Sequence, residues 1–149
     1  MNGLSNIQIS NFLRTHTKFF HGVFSSDNID VKLRDLDKFS IICNFSKQDQ
    51  QGSHFISIIS FSNYVLYIDS LGLPCVMTHI CNFLKSLKKP IYSNTKQIQG
   101  DYSKFCGFYC ILYVFYFDEA RNFRITFSNN LENNDKICVK YISDLLKNK

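Results

Sequence analysis

The 149-residue chain has no tryptophan and only two prolines, Pro74 and Pro90. Both fall where an element should begin or stop, and no stretch rich in Pro, Gly or Ser divides the chain into parts. No internal repeat is present. No apolar run reaches the roughly 18–20 residues that a membrane span requires. The longest run, Phe105 to Phe117, has the length of a buried helix. Met1 to Ser10 is polar and mixed, so no secretory leader is expected. None of the six cysteines (Cys43, Cys75, Cys81, Cys106, Cys110, Cys138) belongs to a Cys-x-x-Cys pair, and their spacings fit no zinc site. They are expected to be reduced thiols in an intracellular setting, most of them packing as small hydrophobes.

What is present is apolar and aromatic. Apolar residues make up 45% and aromatic residues 15%, with fifteen Phe and eight Tyr, which excludes disorder as the main state. The length suits one domain spanning 1–149 with a core of its own. The net charge of +5 supports weak attraction to nucleic acid or acidic partners. Lys85, Lys88, Lys89, Lys96 and Lys104 lie close in sequence, and a solvated face accounts for them more simply than a binding patch does.

Ser5 is expected to cap a first helix carrying Ile9, Phe12, Leu13 and His16 on one face. The stretch 21-HGVFSSDNI-29 reads as a loop, 39-FSIICNF-45 as a short buried strand and 46-SKQDQQGS-53 as a polar turn. Only Ser62 and Asn63 separate 54-HFISIISF-61 from 64-YVLYID-69, which predicts an antiparallel hairpin. Met77, Ile80, Phe83, Leu84 and Leu87 recur at helical spacing, and the lysines before Pro90 suit a helix C-terminus. A short strand is expected near Ile91 and Tyr92. From Cys106 a helix with no polar stripe before Asp118 should be buried on all sides. The segment 121-RNFRITF-127 reads as a late strand and 128-SNNLENND-135 as a loop, with Asp135 capping a last amphipathic helix. The sum is an α+β domain.

The stretch 97-QIQGDYSKFCGFYC-110 carries the chemistry. A thiolate attacks and a thiol hardly does, and a helix N-terminus favours the anion through its unpaired N–H groups and dipole. Cys106 stands at such a position, with Gly107 leaving room for a substrate backbone; Cys110, one turn further in, reads as core. A cysteine nucleophile wants a base. His16 and His79 fall inside expected helices and His21 in a loop, whereas His54 opens a strand that can hold it rigidly. Asp69 ends the strand paired with it, so the hairpin brings the two together at its open end, where Asp69 can orient the imidazole or serve merely as a turn former. An oxyanion donor is needed as well: backbone N–H groups near Cys106 supply one, and Gln99 is the candidate side-chain amide, with Gln97 its rival.

The order His, acid, Gln, Cys resembles the adenovirus-type (adenain-like) cysteine proteases, a group within the larger clan that includes the proteases of ubiquitin-like modifiers. The matching pieces are 52-GSHFISI-58, 66-LYIDSLG-72 and 98-IQGDYSKFCGFYC-110, and 20-FHGVFSSD-27 resembles that family's early loop. Gly72 stands three positions after the acid, and Gln99-Gly100 stands seven residues before Cys106-Gly107. The resemblance implies Cys106 as nucleophile, His54 as base, Asp69 as orienting acid and Gln99 as oxyanion-hole amide. It implies a papain-like fold, with a central helix bearing the cysteine against a mixed or antiparallel sheet and flanking helices. Phe55 stands where the family usually has Trp, and Asp69 is the choice of the modifier proteases where adenain uses Glu.

The function implied is an endopeptidase that cuts viral capsid precursors, as in virophages and Polinton-like elements, with a preference for small residues such as Gly before the cut. It would act as a monomer inside the host cell (cytoplasm, nucleus or viral factory) and be packaged in the virion, with no membrane partner and no metal. The adenain peptide cofactor is tethered through a cysteine whose place falls near Lys88 here, so a disulfide-linked activator is not expected. A non-covalent peptide or DNA, the latter through Lys85, Lys88, Lys89 and Lys96, stays open as an activator. Two other readings compete. A deubiquitinase or deSUMOylase-like isopeptidase suits 67-YIDSLG-72, and a non-catalytic basic nucleic-acid-binding module leaves the His54, Asp69, Gln99, Cys106 order to chance.

Overall fold

The computed structural model describes residues 3–46, 54–101, 103–118 and 126–147. Ser5 opens α1 (Asn6–His16) with a reciprocal cap: its hydroxyl accepts the Gln8 N–H at 3.2 Å and Gln8 Oε1 accepts the Ser5 N–H at 2.9 Å. Such a cap contributes about 1 kcal/mol. It fixes the face on which Ile9, Phe12 and Leu13 are buried, while His16 stacks on Phe12 with ring centroids 4.2 Å apart.

The stretch expected to be a loop after α1 is instead β1 (Phe20–Ser25), paired in parallel with β2 (Phe39–Asn44). The alternation there is hidden by Gly22, which sits at a φ of +148° where the register shifts by a bulge. A short 3₁₀ turn, Val31–Asp35, connects the two strands. The expected hairpin forms from β3 (Phe55–Ser60) and β4 (Val65–Ile68), with Ser60 opposite Val65 and Ser57 opposite Ile68. α2 (Thr78–Ser86) follows, and β5 (Ile91–Ser93) adds to β4 in parallel. The five strands lie in the order β1-β2-β3-β4-β5, a mixed sheet.

The two faces of this sheet bury two separate cores. Ile41, Cys43, Ile56, Ile58, Val65 and Tyr67 pack with Ile80, Phe83 and Leu84 of α2. On the opposite face Phe20, Ile42 and Phe55 join α1, α3 (Cys106–Asp118) and α4 (Leu131–Lys147). All six residues of β3 are buried, Ser57 and Ser60 included, which explains why the strand carries no charged face. The central helix α3 is buried through most of its length, as its lack of a polar stripe predicts. Its last residue, Asp118, accepts the Lys18 and Phe19 N–H groups at 2.9 and 3.0 Å and so ties the helix to the entry of β1.

One boundary differs. Asp135 does not cap the last helix: α4 begins at Leu131, where Asn130 accepts the Asn133 N–H at 3.0 Å. Composition hid this turn, because the polar run 132-ENND-135 is helical and turns Asn134 and Asp135 inward. Most of the polar turn expected at 46–53 and most of the late strand expected at 121–127 lie outside the described residues. No described helix is long and apolar enough to cross a membrane.

Candidate active site

The hairpin sets the first two groups. Asp69 follows the end of β4 and His54 precedes the start of β3, so both lie at the open end opposite the Ser62-Asn63 turn. His54 Nε2 donates to Asp69 Oδ1 at 2.8 Å. The carboxylate is 1% exposed and the imidazole 13%. The same Oδ1 accepts the Leu71 N–H at 2.8 Å, and the Asp69 N–H donates to Asn94 Oδ1 at 2.9 Å while Asn94 Nδ2 donates back to the Asp69 carbonyl at 2.6 Å. The Asp69 side chain is thus held by its own turn, and its backbone by the segment that follows β5.

That turn closes where the Gly72 N–H donates to the Asp69 carbonyl at 2.8 Å. Gly72 has a φ of +71°, and a Cβ there would come within 2.7 Å of the Gln97 nitrogen and 2.8 Å of the Lys96 carbonyl carbon. Both the left-handed backbone and the closeness of the 95–97 segment require glycine. The motif glycine therefore lets the chain leading to Gln99 run directly alongside the Asp69 turn.

Gln99 is 2% exposed. The N–H groups of Ile98 and Gln99 both donate to the Ser70 carbonyl, at 2.9 and 3.0 Å, and the Ser70 hydroxyl donates to Gln99 Oε1. Gln99 Nε2 donates to the Ser103 carbonyl at 3.0 Å. A carbonyl can only accept, so this bond fixes which end of the amide is NH₂. Gln97 instead donates to the Gln99 carbonyl and to Asp101, at 3.0 and 2.6 Å, and does not line the cleft.

Cys106 is the first residue of α3, ahead of the first turn's hydrogen bonds from Phe108 and Tyr109 to the Phe105 carbonyl. Its N–H and that of Gly107 therefore lack helical acceptors. Cys106 lines the same cleft as His54 and lies near enough to influence the charge on the ring. Burial alone pushes the His54 imidazole down; the hydrogen bond to Asp69 and the nearness of Cys106, with the charges of both, outweigh it and raise the ring to about 9.

His54, Phe55, Leu71, Gln99, Ser103 and Cys106 line one cleft of about 530 Å³. The four residues singled out from the sequence thus meet at one place. A larger groove of about 820 Å³ lies on the other flank of the 100–105 loop, against α4, and contains neither His nor Cys. Among the described residues no group of three His, Cys, Asp or Glu side chains is arranged to hold a metal ion.

Two details differ from expectation. The absent Cβ of Gly107 does not face the cleft: it would meet Ile9 Cδ1 at 3.0 Å and Leu4 Cβ at 3.5 Å, so this glycine lets α1 pack against α3. Lys89 is tied into the fold, its Nζ donating to Phe61 O at 2.8 Å, Ser60 Oγ at 3.1 Å and Asp37 O at 3.2 Å, whereas Lys85, Lys88 and Lys96 are exposed. Sequence reasoning also missed Ser70 and Asn94. Ser70 carries a signal only in following the acid directly; Asn94 lies 25 residues from Asp69 in a polar segment and has none.

No protein-family model matches the chain, and no curated protein does. Among solved structures it is similar to the central domain of the uncharacterized Lpg1148 protein from Legionella pneumophila, with a TM-score of 0.59 at 10% identity over the whole of both chains. It also aligns with the ASFV protease (TM-score 0.47, 16% identity, 68% of this chain and 43% of that one). The SUMO protease Ulp1 with its catalytic cysteine oxidised to a sulfinic acid gives 0.43 at 16% identity, over 73% of this chain and 54% of that one. The chain thus spans about half the length of those two proteases, and its shared α+β fold rests on the full-length likeness to the Legionella domain.

Proposed function

We propose that this chain is a cysteine endopeptidase. The observation that carries the reading is the His54 ring, hydrogen-bonded to a buried carboxylate, in one cleft with Gln99 and with a cysteine at a helix N-terminus. In this reading Cys106 Sγ attacks the scissile carbonyl. The developing oxyanion takes hydrogen bonds from the Cys106 N–H and from the Gln99 amide, whose other N–H goes to Ser103. Protonated His54 gives its proton to the leaving amine, and the acyl-enzyme forms. His54, now neutral, takes a proton from water, which attacks the thioester and releases Cys106. Asp69 holds the imidazole in place and stabilises its charged form.

The substrates we propose are structural precursor proteins of a virus or virus-like element, on the strength of the sequence likeness to adenain-type proteases. No metal takes part in the chemistry, and a non-covalent peptide or DNA, met by Lys85, Lys88 and Lys96, is the activator to look for. The test is cleavage of the capsid precursor encoded with this chain, with the cut mapped by mass. Cleavage by the wild type, and none by Cys106→Ala or His54→Ala, is the expected result. A precursor cut at the wild-type rate by either variant overturns the assignment. A ubiquitin-like probe with a thiol-reactive C-terminus separates the isopeptidase reading, because rapid labelling of Cys106 by that probe would favour deconjugation over precursor processing.

A further inference from the structure

The Gln99 side chain can serve an oxyanion only if its backbone stays in place, and one anchor of that backbone comes from a residue the chemistry above does not use. Asp135 lies inside α4, is 6% exposed, and does not line the cleft of His54 and Cys106. The Gly100 N–H lies 3.2 Å from each of its oxygens. The Tyr109 hydroxyl donates to Oδ1 at 2.7 Å, and Tyr109 stands three residues after Cys106 on α3. Next to it, Asn134 Nδ2 donates to the Ile98 carbonyl at 3.1 Å.

Taken together, Gln99 is clamped from two sides. The Ser70 carbonyl holds the Ile98 and Gln99 N–H groups, and α4 holds the Ile98 carbonyl and the Gly100 N–H. The peptide joining Gln99 to Gly100 is oriented by the Asp135 carboxylate alone at its nitrogen. Gly100 is needed for this approach: a Cβ there would sit 2.8 Å from Asp135 Oδ2. The glycine of the Gln-Gly pair thus has a physical reason in α4, some 35 residues away in sequence.

We propose that Asp135 is a positioning residue for the oxyanion-stabilising amide: it fixes the 99–100 peptide and locks it to the helix that carries Cys106, so that Gln99 is held in register with the sulfur. The proposal rests on the protease reading and adds to it a role for α4. Displacement of a stabilising group by about 1 Å costs on the order of 100-fold in rate. Asp135→Ala is therefore expected to lower kcat by about 10–100-fold with KM changed by less than about 3-fold. Asp135→Asn keeps an oxygen for the Gly100 N–H and recovers most of the loss. Gly100→Ala attacks the same contact from the loop side and lowers kcat in the same direction, which keeps the test alive if Asp135→Ala does not fold.

Two probes separate positioning from general damage. A peptide aldehyde adds the Cys106 thiol across its carbonyl and places the resulting oxygen in the oxyanion site; iodoacetamide alkylates the same sulfur without forming an oxyanion. Aldehyde affinity is expected to fall in parallel with kcat in Asp135→Ala and Gly100→Ala, while the rate of Cys106 alkylation stays within about 2-fold of wild type, since removing an oxyanion donor acts on the transition state and not on the nucleophile. Unchanged kcat and aldehyde affinity in both variants overturns the proposal, as does a fall in alkylation that matches the fall in kcat. A wild-type chain that neither hydrolyses peptide nor binds the aldehyde takes the protease reading down first, and this inference with it.

Discussion

Cys106 and Cys110 are the same residue type on the same helix, one turn apart, and they sit in opposite surroundings. Cys106 begins α3 and lines the cleft beside His54. Cys110 is walled in by the sheet: burial, and after it the nearness of Cys106, pushes its thiol well above the usual range. Ser57 of β3 donates to the Cys110 carbonyl at 3.5 Å, and its hydroxyl offsets only part of the upward push of burial on the thiol. The difference lies in what each position receives: a free helix end and an imidazole in one case, apolar packing in the other. Around them Gly72 and Gly100 let neighbouring segments approach closely.

The contrast is broken most completely by exchanging the reactive position. Cys106→Ala is expected to lower peptide hydrolysis by at least about 10⁴-fold, with the thermal midpoint nearly unchanged, measured by single-turnover cleavage and by calorimetry. His54→Ala has an effect of similar size. Asp69→Asn leaves the hairpin intact but costs about 10²–10⁴-fold in kcat, because the imidazole loses the charge that orients and stabilises it. Asn94→Ala, which frees the Asp69 backbone on one side, is expected to cost about 10-fold. At the far end of the scale, Cys110→Ala leaves kcat within about 3-fold and lowers stability by about 1 kcal/mol through the small cavity it opens. If Cys110→Ala abolished hydrolysis and Cys106→Ala did not, the assignment of the two cysteines would be reversed.

Acidity sharpens the comparison. The leaving amine needs a protonated His54, whose folded value is raised to about 9. kcat/KM is therefore expected to hold through neutral pH and to fall as pH rises through about 9. The same shift couples to stability. A histidine raised from 6.5 to about 9 contributes stability that is fully present below pH 6.5 and is lost between 6.5 and about 9. The wild type should lose part of its denaturation midpoint over that window, and His54→Ala should not show this loss.

Much of this was legible in the chain. The Ser5 cap, the two-residue turn of the hairpin and the stripe-free helix from Cys106 are local patterns, and each formed as read. The meeting of His54 and Asp69 followed from hairpin geometry alone. β1 was not legible, because Gly22 breaks its alternation and its partner is a distant strand in parallel pairing. Nor was the work of α4. Asn134 and Asp135 look like loop residues in a polar run, and only the tertiary packing turns them toward Ile98 and Gly100. The role given to Gly107 failed for a related reason: a glycine beside a reactive cysteine suggests substrate, and its true neighbour, Ile9 of α1, lies nearly a hundred residues earlier.

The measurement that bears most directly on the account is site-resolved alkylation at neutral pH. Wild type and His54→Ala are treated briefly with iodoacetamide, and all six cysteines are quantified by peptide mass. Burial pushes the thiols of Cys43, Cys110 and Cys138 upward, and burial together with the Cys81 contact raises Cys75 to about 12. The account expects Cys106 to be modified first in the wild type and at least about 10-fold more slowly once the imidazole is gone. Equal labelling of Cys106 in the two proteins, or faster labelling of Cys75 and Cys81 than of Cys106, would contradict it.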